Sequence, residues 1–79
     1  MQGVTVVDHR DPTPLYRQLA TILQAQVEAG EFASDDPLPS ESQLQATHQV
    51  SRVTVRKAIE VLRDDGLVYT IPQRGTYVR

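Results

Sequence analysis

Residues 50–66 read VSRVTVRKAIEVLRDDG and predict an amphipathic helix with a marked start and a marked end. Ser51 is a typical helix N-cap, and Gly66 suits the left-handed residue that often follows a helix. A hydrophobic face is formed by residues spaced i, i+3, i+4 and i+7, namely Val55, Ala58, Ile59 and Leu62. The opposite face holds Val53, Arg56, Lys57 and Glu60, and Arg52 lies at one edge of it in the first turn.

The exposed face of this helix is basic in its N-terminal half. Residues 50–59 contain three positive charges and no negative charge. Such a face is typical of a recognition helix that enters the major groove of DNA. For a charge cluster taken alone, a solvated surface is the more common explanation. The elements on either side of the helix therefore decide between the two interpretations.

A longer helix is predicted near the N-terminus of the chain. Thr13 is the expected cap, Pro14 occupies the first helical position, and Gly30 ends the helix. Its hydrophobic face comprises Leu15, Leu19, Ile22, Leu23 and Val27. Residues 1–11 show no sustained period, so we expect them to form a flexible N-terminal arm that precedes a domain of residues 12–79.

A short helix is predicted between these two. It begins after Ser40, whose spacing from Gln43 is that of a capping box, and it ends near His48, which we expect to be a capping or surface histidine. The connector before it, residues 31–39, contains two prolines and permits at most a short edge strand around Leu38.

The C-terminal end of the chain predicts a β-hairpin. Residues 67–71 and 76–78 are rich in β-branched and aromatic side chains, and residues 72–75, PQRG, form a turn candidate between them. Three helices followed by a hairpin indicate an α+β, mainly α, fold of the winged helix-turn-helix type. The hairpin is then the wing.

Composition excludes several classes of function. With 79 residues the chain holds one small core, and with no cysteine it has no disulfide or thiolate metal site. Two histidines are too few for a histidine metal cage, and the adjacent aspartate pairs cannot face one another across a substrate. No apolar run approaches the roughly 20 residues of a membrane span. We expect a cytoplasmic protein that is not an enzyme and needs no cofactor or metal.

Charge is distributed unevenly along the chain. Residues 1–39 carry two basic and six acidic side chains, a net charge of −4, whereas residues 40–79 carry six basic and four acidic side chains, a net charge of +2. This asymmetry favours a polyanionic partner for the second half, although it is a weak indication by itself.

Five short motifs, in order and at the right spacing, resemble the N-terminal DNA-binding domain of the GntR family of bacterial transcription regulators. The motifs are PLYRQ at 14–18, LPSE at 38–41, VSRVTVRKA at 50–58, DGLV at 65–68 and RGTYV at 74–78. The first motif is similar to the HutC-like and YtrA-like branches of the family. The resemblance covers residues 12–79.

The resemblance implies that the helix of residues 51–65 enters the major groove and that the wing near Arg74 and Gly75 enters the minor groove. It also implies that the start of the second helix contacts phosphate. The expected DNA-binding residues are Ser40, Glu41, Ser51, Arg52, Val53, Thr54, Arg56, Lys57, Gln73, Arg74 and Gly75. Arginine suits this role because its planar fork matches guanine and phosphate oxygens.

The chain departs from the family pattern at four positions. Relatives commonly have glycine where this chain has Asp35, Gln49 and Gln73, and some have arginine in place of Ser42. Gln49 lies in the turn between the second and third helices. If this turn needs a left-handed backbone conformation, a glutamine there is strained. Gln73 beside Pro72 makes the wing tip stiffer and bulkier than the glycine-containing tip that is usual in the family.

The sequence thus predicts the sequence-specific, double-stranded-DNA-binding domain of a bacterial transcription regulator, most often a repressor. The alternative is a winged helix whose basic face docks an acidic protein. The partner expected is an operator, typically an inverted repeat bound by two copies. The isolated chain is expected to be a monomer, because no apolar stripe remains after the core is assigned, and an effector ligand would bind a C-terminal domain that these residues do not contain.

Overall fold

The computed structural model describes residues 5–79, which form three helices and one β-hairpin. The helices are α1 (Leu15–Glu28), α2 (Glu41–His48) and α3 (Arg52–Asp64), and the strands are β1 (Val68–Ile71) and β2 (Gly75–Val78). The strands are antiparallel, with Val68 opposite Val78 and Ile71 opposite Gly75. The predicted winged helix-turn-helix architecture is confirmed.

Two of the three predicted helix starts are confirmed. Ser40 Oγ accepts the N–H of Gln43 at 3.1 Å, and Gln43 Oε1 accepts the N–H of Ser40 at 2.8 Å, which completes the capping box. Ser51 Oγ likewise accepts the N–H of Thr54 at 3.1 Å. These bonds satisfy backbone donors that a helix N-terminus leaves free, and they set where α2 and α3 begin.

The start of α1 differs from the prediction. The N-cap residue is Pro14, in an extended conformation, and no side chain caps the helix, so Thr13 is not the cap. The physical reason is that the Pro14 carbonyl already accepts the N–H groups of Arg17 and Gln18. Pro14 therefore stands just before the first helical residue, Leu15, rather than inside the helix.

The helix ends depend on left-handed backbone. Gly66 follows α3 with φ of 77°, as predicted, but α2 ends at Gln49, whose φ of 57° and ψ of 50° are left-handed. Among residues 5–79, the non-glycine residues with positive φ are Asp35, Gln49 and Gln73. These are the three positions at which the resemblance expects glycine. The chain therefore has the left-handed backbone conformation that favours glycine at each position, but with a different residue.

The core lies between α1, α3 and the inner face of the wing. Leu19 and Leu23 of α1, Val55 and Leu62 of α3 and Val68 of β1 are the largest side chains that are fully buried. The predicted hydrophobic faces of α1 and α3 therefore meet, and Leu15 and Val27 pack at the margin of the core. This packing turns the opposite face of α3 outward.

The connector before α2 adds a third segment to the wing. Leu38 donates its N–H to the Thr76 carbonyl at 2.9 Å, Val78 donates to the Asp36 carbonyl at 2.9 Å, and Pro37 forms a bridge with Tyr77. The short edge strand predicted around Leu38 is thus observed as this bridge. A proline is tolerated there because an edge position does not require its N–H.

Residues 7 to 9 of the N-terminal segment contact the helical domain at His48. The side chain of Val7 is buried in the core, and its N–H donates to Nδ1 of His48 at 3.3 Å. His9 Nε2 lies 2.9 Å from the His48 carbonyl oxygen. His48 is therefore a buried residue, not the surface histidine expected, because residues 7–9 cover it. Residues 1–4 of the expected arm lie outside the described residues.

Candidate nucleic-acid interface

The N-terminal half of α3 presents cations to solvent. Arg52, Val53, Arg56 and Lys57 are exposed, Thr54 is half-buried and Val55 is fully buried. The buried residues of α3 pack against α1, so the residues that face outward are those expected from the periodicity. Arg52 and Arg56 lie one helical turn apart on the same side of the helix.

The start of α3 is held by its own hydroxyl groups. Ser51 Oγ accepts the Thr54 N–H and also donates to Thr54 Oγ1 at 3.1 Å. Both predicted hydroxyl residues therefore take part in the cap. Their geometry gives the first turn of α3, which carries Arg52 and Val53, a defined orientation.

An ion pair connects α2 to α3 on the exposed face. Arg56 Nε donates to Glu41 Oε2 at 3.1 Å, and both side chains remain substantially exposed. Because Glu41 engages Nε, the two terminal amino groups of the guanidinium stay free to donate elsewhere. Glu41 was expected to bind DNA, and its observed contact is with Arg56, an arginine for which the same role was expected.

An open groove of about 730 Å³ separates the helix-turn-helix from the wing. One side of the groove is lined by Ser40 and Glu41 at the start of α2 and by Arg56 of α3. The other side is lined by Gln73, Arg74 and Gly75. Six of the predicted contact residues thus line one groove. The other five lie at the start and along the outward side of α3: Ser51, Arg52, Val53, Thr54 and Lys57.

The wing tip is a tight turn that displays Arg74. Arg74 donates its N–H to the Ile71 carbonyl at 3.0 Å, with Pro72 second and Gln73 third in the turn. Proline at the second position and a positive φ at the third, here 65°, match a type II turn, in which glycine is usual at the third position. Gln73 and Arg74 are exposed, and Gly75 has a φ of 134°.

Tyr16 links α1 to the basic face, a contact that the sequence did not indicate. Lys57 Nζ lies 5.2 Å and the Arg17 guanidinium carbon 5.3 Å from the centre of the Tyr16 ring. Arg17 also donates to the Tyr16 hydroxyl at 3.1 Å. The ring holds two cations near one another by cation–π attraction and adds Arg17 to the positively charged surface of α3.

Within residues 5–79, no helix is both long enough and apolar enough to cross a membrane. The same part of the chain contains no group of three histidine or acidic side chains arranged to hold a metal ion.

Comparison with known proteins identifies a single family. The profile described as "Bacterial regulatory proteins, gntR family" matches residues 15–78. The chain is 39% identical over 72 residues to the HTH-type transcriptional repressor NagR of Bacillus subtilis, covering 91% of this chain and 30% of that protein. It is 46% identical over 66 residues to the Escherichia coli repressor MngR of the mannosyl-D-glycerate transport and metabolism system, covering 84% and 28%. The chain thus spans less than a third of the length of these curated relatives.

Solved structures with the same fold include a protein bound to DNA. The DNA-binding domain of AraR, crystallised in complex with operator ORX1, superposes with a TM-score of 0.88 at 30% identity and full coverage of both chains. YtrA from Sulfolobus acidocaldarius, a GntR-family transcription factor, superposes with a TM-score of 0.84 at 30% identity, covering 98% of this chain and 81% of that one.

Proposed function

Since the chain belongs to the GntR family of bacterial regulatory proteins, we propose that it binds double-stranded DNA in a sequence-specific way as the DNA-binding domain of a transcription regulator. It is not an enzyme. One observation supports this function above the others: α3 presents Arg52, Arg56 and Lys57 on a single exposed face, and residues 50–59 contain no acidic side chain.

In this proposal α3 lies in the major groove. The N-terminal residues of a recognition helix contact base edges, and in α3 these residues are Arg52, Val53 and Arg56. Arg56 has its terminal amino groups free for a bidentate contact with a guanine, because its Nε is engaged by Glu41. Lys57, which lies against the Tyr16 ring, is proposed to contact phosphate at the groove edge.

The groove beside α3 is proposed to receive a phosphate backbone. Ser40 caps α2 on one side, and the free N–H groups of a helix N-terminus attract phosphate. Arg74 at the wing tip lies on the other side, where an arginine can enter a narrow, A·T-rich minor groove. The ring of Pro72 and the side chain of Gln73 set how closely the tip approaches.

The regulatory role follows from the relatives and is proposed on that basis. NagR and MngR are repressors, and both are more than three times as long as the matched segment. We therefore propose that this chain acts in repression and in the cytoplasm, with an effector ligand bound by another domain. Two copies would occupy the half-sites of an inverted repeat, about one helical turn apart, and the 79-residue chain alone would be a monomer.

Selection of binding sites from random duplex DNA tests the proposal. A recovered motif, with affinity that falls steeply as salt rises, is the expected result. At that motif, Arg52→Ala and Arg56→Ala should each cost about 1–3 kcal/mol of binding free energy, as expected for lost base contacts. Arg79→Ala is the matched control, because it removes the same charge from outside the groove and outside α3.

The selection also separates the two functions considered for this fold. If no motif is recovered and duplex DNA is bound no better than another polyanion, the basic face is a docking surface for an acidic protein. If both arginine variants bind the motif like the parent chain, α3 does not lie in the major groove.

A further inference from the structure

Val53 is an apolar side chain at the most outward point of α3. It is 65% exposed, the highest value among the large exposed hydrophobic residues of the described chain, the others being Val6 at 46% and Ile71 at 39%. At 100° per residue, Val53 lies about 10° from the direction opposite the centre of the buried stripe. Within residues 5–79, its side chain is thus left mostly open to solvent on that side.

Neither the fold nor the helix accounts for this valine. A residue pointing away from the core contributes nothing to packing, and valine is a weaker helix former than the long polar residues that usually occupy such positions. Its neighbours on the exposed face, Arg52, Arg56 and Lys57, are cations. The apolar surface is therefore the size of one side chain and is surrounded by positive charge.

This surrounding charge indicates what Val53 contacts. A protein partner that buries a hydrophobic residue usually offers a wider apolar patch, and α3 has no second exposed apolar side chain near Val53 to match one. A DNA major groove offers the required combination, since a small apolar group lies between two rows of phosphates. That group is the C5-methyl of thymine, the one apolar group that base pairs present there.

We propose that Val53 determines part of the sequence specificity by packing against the C5-methyl group of a thymine in each half-site. The inference rests on the proposed function and adds to it a base type and the atom that is recognised. Arg52 and Arg56 flank Val53 along the helix, so the thymine lies next to the base pairs that these arginines contact.

The test replaces the thymines of the selected motif one at a time with deoxyuridine. This change removes only the C5-methyl group and leaves every hydrogen-bonding group of the base pair in place. We expect one thymine in each half-site at which the parent chain loses affinity about three- to ten-fold, the range for one buried methyl group. At that position Val53→Ala should bind the thymine and deoxyuridine duplexes equally well, within two-fold.

Glu60→Ala provides the matched control. Glu60 lies on the same exposed face about two turns further along α3, beyond the residues expected to reach base edges, so its variant should keep the full sensitivity to deoxyuridine. Circular dichroism melting of Val53→Ala should show no loss of stability relative to the parent, because the side chain is exposed and alanine is the stronger helix former.

The outcomes separate this inference from the proposed function. Recovery of a motif whose thymines all tolerate deoxyuridine would overturn the role of Val53 and leave DNA binding intact. Equal loss on deoxyuridine substitution in the parent chain and in Val53→Ala would assign the methyl contact to another residue. Failure to recover any motif would overturn the proposed function itself.

Discussion

Replacing Gln49 by glycine should make the domain more stable. Gln49 ends α2 with φ of 57° and ψ of 50°, near the centre of the left-handed region, and its exposed side chain makes no hydrogen bond among the described residues. A residue with a Cβ atom is about 1–2 kcal/mol less stable in this conformation than glycine. Glycine loses more conformational freedom on folding, which offsets about 0.5–1 kcal/mol of that gain. The net increase in the free energy of unfolding is about 0.5–1 kcal/mol.

Urea unfolding followed by circular dichroism measures this increase, and a rise in Tm of about 2–8 °C should accompany it. Gln49→Ala is the matched control, because it removes the same side chain but keeps the Cβ atom, and it should bring no gain. Ala46→Gly, inside α2, should instead lower stability by about 1 kcal/mol. If Gln49→Gly brings no gain, or Gln49→Ala brings an equal one, the backbone of this turn is not strained as argued.

Three further predictions concern the wing, the ion pair and the buried histidine. Arg74→Ala should weaken binding and shorten the footprint at the bases that flank the major-groove contacts; a footprint of unchanged extent and strength would show that the wing does not dock. Glu41→Gln should raise the affinity for non-specific DNA, because a negative charge is removed. It should also lower the ratio of specific to non-specific affinity about two- to five-fold, because Arg56 loses its ion-pair partner. A ratio that stays the same would show that Glu41 does not position Arg56. Burial lowers the pKa of His48 below its ordinary value of 6.5. As the pH falls below that value, His48 is therefore protonated in the unfolded chain before it is protonated in the folded chain. Stability should therefore be full above pH 6.5 and decline as the pH falls, which urea unfolding at about pH 7.5 and 5.5 measures, and a decline of the same size in His48→Gln would exclude His48 as its source.

The helices and the wing could be predicted because their signals are local. The hydrogen bonds that begin α2 and α3 join Ser40 to Gln43 and Ser51 to Thr54, residues three positions apart, and these pairs are visible in the sequence. The buried stripe of α3 repeats with the period of one helix, so its outward residues, including Arg52 and Arg56, follow from the same pattern. The one helix start that was predicted wrongly, that of α1, differs from the structure by one residue: the cap is Pro14 and not Thr13.

The contacts that shape the basic face could not be predicted in this way. Glu41 and Arg56 are 15 residues apart and lie on different helices, and Tyr16 reaches Lys57 across 41 residues. Each of these pairs forms only when two helices pack at a particular angle and rotation, and no periodic pattern within either helix specifies that geometry.

The sequence by itself determined the order of the elements, the N-caps of α2 and α3 and the cationic outward face of α3, because all of these depend on residues within a few positions of one another. Only the tertiary structure decided that Val7 covers His48 and that the groove brings Arg56 and Arg74 together. The reason is that these arrangements follow from how whole elements pack, and burial at one position depends on side chains that arrive from distant parts of the chain.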